Sequence, residues 1–187
     1  ISIDELSKKD FEKIVKLYPY LKEVSIAGGE VTERDDLFNI IKFLRKKGIR
    51  VDFTTNGIKT ANEEYVKKLK LCGINHIIIS HQITSGSFKK NMGVDLSSYI
   101  HKSINNFKRF KINFSFSVTV DEKNFSNLWN FIEYAVDVGA SFIRISPLFS
   151  TRFNPLPKTE ITSSDIIWKI CEHLEMSPNE LRKMILF

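Results

Sequence analysis

The sequence predicts an α/β fold built on a parallel sheet. Five strand-like apolar runs alternate with amphipathic helical stripes, and each strand-to-strand spacing exceeds the roughly dozen residues that a parallel crossover requires. The runs close on glycine, serine, threonine and asparagine. These residues turn the chain and offer polar groups at the carboxyl ends of strands, where parallel α/β folds bind ligands.

The elements follow in order. Ser7 precedes the i, i+3, i+4, i+7 stripe Phe11, Ile14, Val15 and Tyr18, which predicts a helix ended by Pro19. Val24 to Ala27 reads as a short strand stopping at Gly28-Gly29. A second helix carries Leu37, Ile40, Ile41 and Leu44 after the start-type residues Thr32, Asp35 and Asp36, and Gly48 stops it. The pattern then repeats, with a strand over Arg50 to Thr55, a turn at Asn56-Gly57, and a helix opened by a capping box at Thr60 to Glu63 and ended by Gly73. A strand over Asn75 to Ser80 leads into a long polar stretch, His81 to Asp95, and a helix with Ile100, Ile104 and Phe107. In the next strand, Ile112 to Val120, Phe114, Phe116, Val118 and Val120 alternate with Ser115, Ser117 and Thr119. A helix with Leu128, Phe131, Ile132 and Ala135 ends at Gly139, and a last strand, Ser141 to Ser146, stops at Pro147. Pro155 and Pro157 mark a linker, followed by a helix around Ser164 to Glu175 and a helix start at Ser177 to Glu180. The expected organisation is a barrel-type core over 1–150 and a linker with helical extension over 151–187. The first residue is Ile and the last, Phe187, falls within a helical pattern, so the chain is expected to be a piece of a longer protein.

Composition narrows the function classes. At 187 residues and 42% hydrophobic content the chain can bury about 70% of its unfolded surface, enough for a core without disulfide or metal staples. No apolar run approaches the roughly 20 residues of a membrane span, and the charged start lacks the features of a secretory signal, so the cytoplasm is the expected compartment. The net charge of +6 is spread over helix faces at Lys42, Lys46, Lys47, Lys67 and Lys70, which favours a solvated surface over a nucleic-acid interface. Ser85-Gly86-Ser87 has no phosphate-loop signature, and Cys72 and Cys171 lie too far apart in sequence to form a metal-ligand motif.

The strand ends carry the functional signal. They are Gly28-Gly29-Glu30, Thr54-Thr55-Asn56-Gly57, Ser80-His81-Gln82, Ser117 with Thr119, and Arg144 with Ser146 and Pro147. Two glycines let a ligand touch the backbone, and Glu30 can accept a hydrogen bond from an ammonium. The segment Val24-Ser-Ile-Ala-Gly-Gly-Glu30, followed by a helix and Val51-Asp-Phe-Thr-Thr-Asn-Gly57, resembles the radical S-adenosylmethionine superfamily. The resemblance continues through Ile77 to Ser80, Ser85 to Phe88, Val118 to Asp121 with Asn124, and Phe142 to Leu148. It looks closest to the peptide-modifying and cofactor-maturing branch.

That resemblance implies a partial (β/α)6 barrel of the TIM type, here without its first strand. It also implies a four-iron, four-sulfur cluster that reductively cleaves S-adenosylmethionine to methionine and a 5′-deoxyadenosyl radical. Carried over by position, Ala27, Gly28 and Gly29 would meet the methionyl amino group through backbone carbonyls and Glu30 through its carboxylate, with Asn56 buttressing the pocket. Ser80 or Gln82, and Ser117 or Thr119, would contact the ribose and carboxylate. Ile145 and Pro147 would flank the adenine. Arg144 would bind a carboxylate if its parity turns it into the barrel, and otherwise stand in solvent. The implied partners are a peptide or small-molecule substrate and an electron donor such as flavodoxin or ferredoxin, with no membrane.

The family's Cys-x3-Cys-x2-Cys loop has no counterpart in these 187 residues, so the cluster ligands are expected upstream of Ile1. Val31 stands where the family often has Pro, and Ser80-His-Gln-Ile83 where Asp-Gly commonly follows Ser. Two other readings compete with the enzyme. A cluster-free relative would keep the S-adenosylmethionine or nucleotide pocket as a recognition or regulatory domain. An unrelated aldolase-like barrel would need a Lys at a strand end, and none of the strand ends shows one. His76 reads as structural, His81 as structural or functional, and the adjacent Asp121 and Glu122 point to opposite sides of their strand, so they cannot flank one bond.

Overall fold

The computed structural model describes residues 6–83, 96–148 and 161–175. Its five-stranded sheet runs in chain order: β1 (Glu23–Ile26), β2 (Arg50–Thr55), β3 (His76–His81), β4 (Asn113–Val120) and β5 (Ile143–Pro147). The strands are parallel, as the register of β1 on β2, β2 on β3 and β4 on β5 shows. A sheet in which each strand lies beside the next one in the chain is laid down like a (β/α) barrel. A doubly wound sheet instead reverses its strand order. The fold is therefore α/β of the partial TIM-like barrel class. The chain divides into two compact units, Ile1–Ser80 with Leu96–Ser115, and His81–Asp95 with Phe116–Phe187.

In the first unit, α1 (Lys8–Leu17) starts at Ser7, whose hydroxyl and backbone N–H both donate to Asp10. Those bonds hold the Asp10 carboxyl below its ordinary range. The helix stops before Tyr18, so this residue leaves the expected stripe and lies exposed. In α2 (Leu37–Lys46) the stripe Leu37, Ile40, Ile41 and Leu44 is fully buried. β2 has the expected bounds and alternates, with Val51, Phe53 and Thr55 buried between less buried residues. The predicted capping box at Thr60 does not form. Residues Lys59–Ala61 make a short 3-10 turn, and Asn62 caps α3 (Glu63–Leu71) by accepting from Tyr65 N at 3.0 Å. Thr60 is fully buried and bonds instead to Ser103 on α4 (Ser97–Arg109). The buried groups Ile100, Ile104 and Phe107 of α4 are those of its expected stripe.

In the second unit, Val120 packs with Leu128 of α5 (Leu128–Asp137) and Ile166 of α6 (Ser163–His173). Ile83, Phe125, Ile132, Ile145, Ile161 and Ile170 surround this cluster. Thr162 and Asp165 form a reciprocal cap at the start of α6. β5 begins two residues later than expected and includes Pro147, whose register partner is Val120. Among the described residues β5 is an edge strand of the sheet, where the missing N–H of Pro147 is tolerated. The boundary expected between 150 and 151, the Ser85 to Phe88 element, the linker prolines and the helix start at Ser177 lie outside the described residues.

Candidate functional site

β1 delivers the first group of strand-end residues. Ala27, Gly28 and Gly29 are exposed, and a Cβ placed on either glycine would meet nothing within 4 Å. The chain then turns into the 3-10 turn Val31–Glu33, with half-buried Glu30 at its start. The Glu30 carboxylate receives four donors. Thr32 N (3.1 Å), the Thr32 hydroxyl (2.6 Å) and the Thr55 hydroxyl (2.7 Å) reach Oε1, and Asn56 N (2.7 Å) reaches Oε2. Every one of these donors is neutral, and among the described residues no cation pairs with Glu30. A half-buried carboxylate held by neutral donors alone is one that a cationic ligand can complement.

The loop carrying Glu30 is tied down on its other side. The Thr32 carbonyl accepts from Lys59 Nζ at 3.1 Å and from the Tyr65 hydroxyl at 3.0 Å, while Lys59 also pairs with Glu33 at 2.9 Å. Burial, reinforced by the charges of Glu30 and Glu33, pushes the Tyr65 phenol up to about 12. Asn56 reaches Glu30 through its backbone; its side-chain oxygen instead accepts from Ile58 N at 2.9 Å and closes the turn. Ser80 lies exposed near the end of β3. The sequence marks Thr55 only as one of the strand-end residues and Thr32 only as a helix-start residue, and it does not single out Lys59 or Tyr65. The available signal was a buried threonine ending a strand that follows a Glu-x-Thr turn.

The second unit arranges its candidates by register. Ser117 pairs with Arg144 and Thr119 with Ser146, while Val118 pairs with Ile145 and Val120 with Pro147. Register partners in a parallel pair share a face. Arg144 therefore stands on the polar face with Ser117 and Thr119, opposite the face that packs on α5 and α6. Ile145 belongs to that packed face, its side chain against the Val120 cluster, so its backbone groups are what it can offer a ligand. Gln82 is half-buried, and its amide oxygen has no hydrogen-bond partner among the described residues. The His81 ring lies among Phe116 (5.3 Å), Phe131 (5.1 Å) and Tyr134 (5.8 Å), the packing of a structural residue. Asp121 accepts from Lys123 N and Asn124 N, so its carboxylate organises a turn.

A barrel-type parallel sheet with a glycine ledge and an acceptor-rich carboxylate after its first strand defines a class of ligand-binding α/β proteins. The Radical SAM superfamily matches residues 2–135, and the chain belongs to it. A probable GTP 3',8-cyclase from Saccharolobus islandicus (strain Y.N.15.51 / Yellowstone #2) is 31% identical over 179 residues, covering 91% of this chain and 55% of that protein. A second, from Sulfurisphaera tokodaii, is 31% identical over 135 residues, covering 68% of this chain and 41% of that protein. The chain thus spans about half the length of the curated relatives it matches. Among solved structures, Streptococcus suis SuiB bound to S-adenosylmethionine aligns with a TM-score of 0.76 at 17% identity, over 92% of this chain and 41% of that one. Native anSMEcpe with bound AdoMet aligns with a TM-score of 0.70 at 16% identity, over 94% of this chain and 51% of that one.

The family's two groups fit these residues differently. An S-adenosylmethionine ammonium suits the ledge at Gly28 and Gly29 and the uncompensated Glu30. Among the described residues an iron–sulfur cluster does not find its ligands. Among the described residues no His, Cys, Asp and Glu group is arranged to hold a metal ion, and Cys72 and Cys171 are both buried. Burial also pushes the Cys72 thiol up, away from the thiolate that iron requires, against the opposing charge of Lys42. Among the described residues no helix is long and apolar enough to cross a membrane.

Proposed function

We propose that the chain is the core of a radical S-adenosylmethionine enzyme, with Ala27, Gly28, Gly29 and Glu30 receiving the methionyl ammonium. The observation that carries this reading is the Glu30 carboxylate, half-buried, held by neutral donors alone and flanked by open space at Gly28 and Gly29. Asn56 holds the turn beneath it. Within the same unit, Ser80 supplies a polar group for the ribose or carboxylate.

In this family a four-iron, four-sulfur cluster supplies the electron that cleaves the sulfonium. Its thiolates would come from outside these 187 residues, and flavodoxin or ferredoxin would serve as reductant in the cytoplasm. We infer a small-molecule substrate over a peptide. The name carried by the relatives at 31% identity, GTP 3',8-cyclase, supports a purine nucleotide, whereas the likeness to a peptide-bound SuiB structure is one of fold.

The test is iron and sulfide content of the complete, anaerobically reconstituted gene product, with electron paramagnetic resonance before and after S-adenosylmethionine. Product analysis for 5′-deoxyadenosine with and without GTP completes it. About four irons per chain, a spectrum that shifts with S-adenosylmethionine, and GTP-stimulated 5′-deoxyadenosine support the proposal. Iron-free protein that binds S-adenosylmethionine would establish the cluster-free recognition domain instead, and absence of binding would overturn both readings.

A further inference from the structure

We infer that Thr55 is a positioning residue, whose hydroxyl turns the Glu30 carboxylate so that the one acceptor site left on Oε2 faces the ligand ammonium. This rests on the proposed S-adenosylmethionine site and adds what orients it.

A carboxylate offers about four lone-pair sites on two oxygens. Oε1 is saturated by Thr32 N, the Thr32 hydroxyl and the Thr55 hydroxyl, and Oε2 has only Asn56 N. The ligand contact therefore falls to Oε2. Rotation about the terminal Glu bond is broad and soft, so the direction of Oε2 depends on what anchors Oε1.

The two Thr32 bonds come from the same turn, two residues on, and move with it. The bonds from Thr55 and Asn56 cross 25 and 26 residues of sequence and fix the carboxylate to the sheet. Of these, Asn56 uses its backbone, so the Thr55 hydroxyl is the cross-loop anchor that a side chain supplies. Its geometry is locked as well. Thr55 Oγ1 accepts from Gly57 N at 3.2 Å, which leaves its single proton for Glu30, and the β-branched side chain is stiff at χ1. The residue is 1% exposed, so it acts through Glu30 and does not itself touch ligand from solvent.

The experiment uses the complete protein and two probes in titration calorimetry: S-adenosylmethionine, and 5′-methylthioadenosine, which shares the adenosyl thioether but lacks the amino-acid end. Thr55→Val should raise the Kd for S-adenosylmethionine about tenfold while leaving that for 5′-methylthioadenosine unchanged. Thr55→Ser, which keeps the hydroxyl, should restore it, and Thr55→Val should add nothing to Glu30→Gln. Wild-type affinity in Thr55→Val, equal loss of both probes, or failure of Ser to rescue overturns the inference. Loss in Glu30→Gln with none in Thr55→Val overturns it alone, whereas wild-type affinity in Glu30→Gln overturns the site itself and the inference with it. Should Thr55→Val not fold, Thr55→Ala is measured against the same two probes.

Discussion

Thr60 and Ser103, 43 residues apart in sequence and both fully buried, share a hydrogen bond of 2.9 Å between their hydroxyls. Ser103 also donates to the Gly57 carbonyl at 2.8 Å, and Asn106 Nδ2 reaches the carbonyls of Thr60 and Ala61. The pair fastens α4 to the turn that follows β2, and that turn carries the Asn56 N–H used by Glu30. A packing relationship far from solvent thus supports a strand-end loop.

Removing one hydroxyl breaks this bond and leaves the other, fully buried, with the Gly57 carbonyl as its remaining partner. Ser103→Ala and Thr60→Val should each cost about 1–3 kcal/mol in urea denaturation. The double variant should cost less than their sum, because the bond the two hydroxyls share is counted in each single variant and lost only once in the double. Strict additivity would show that the two hydroxyls are not coupled.

The same turn shows what the sequence discloses and what it withholds. The bounds of β2 were legible because buried Val51, Phe53 and Thr55 alternate with less buried neighbours, and Gly48 and Gly57 bracket the run. The cap of α3 was not. Thr60 and Asn62 are both start-type residues, and only the burial of Thr60 against α4 decides between them. Tyr18 fits the period of its stripe but falls outside α1, since periodicity alone does not fix where a helix ends. At the candidate site, Glu30 was legible as an acceptor beside two glycines. That it spends most of its acceptor capacity on the protein was not, because Thr55 and Asn56 meet it only through the parallel pairing of β1 and β2.

Gly29 and Gly57 separate binding from folding. The sequence alone suggests that a β-branched residue at Gly29 harms both. In the structure a Cβ there meets nothing within 4 Å, so Gly29→Val should keep wild-type thermal stability while losing S-adenosylmethionine binding. Gly57 sits at φ 88° with Ile100 Cγ1 3.3 Å from a built Cβ, so Gly57→Val should lose several degrees of melting temperature. Equal destabilisation by the two substitutions would show that the space at Gly29 is not reserved for a ligand.

Tyr65 makes stability depend on alkaline pH. Its phenol ionises at its ordinary value of 10.0 in the unfolded chain and is pushed up to about 12 in the fold, mainly by burial. Between those values the unfolded chain releases a proton that the folded one holds, so stability falls with rising pH. The contribution is fully present below the lower value and is lost as pH climbs through the upper one. Tyr65→Phe should therefore be less sensitive than wild type to a change from about pH 9 to about pH 11 in denaturant titrations. An identical pH dependence in the two proteins would remove Tyr65 from this role.

Cys72 and Cys171 provide the test of where a cluster is held. Cys72 closes α3 at 6% exposure and Cys171 lies on α6 at 1%, each inside its own unit, and burial keeps the Cys72 thiol protonated beyond its usual range. Iron–sulfur clusters are held by grouped thiolates, and these two cysteines are buried and belong to no metal-holding group among the described residues. In the complete protein, Cys72→Ser and Cys171→Ser should each retain the wild-type iron and sulfide content and the same paramagnetic resonance response to S-adenosylmethionine. Some loss of thermal stability is compatible with this, because a hydroxyl replaces a buried apolar sulfur. Loss of iron from a folded variant would return that cysteine to the ligand set and would require its helix to open toward the cluster.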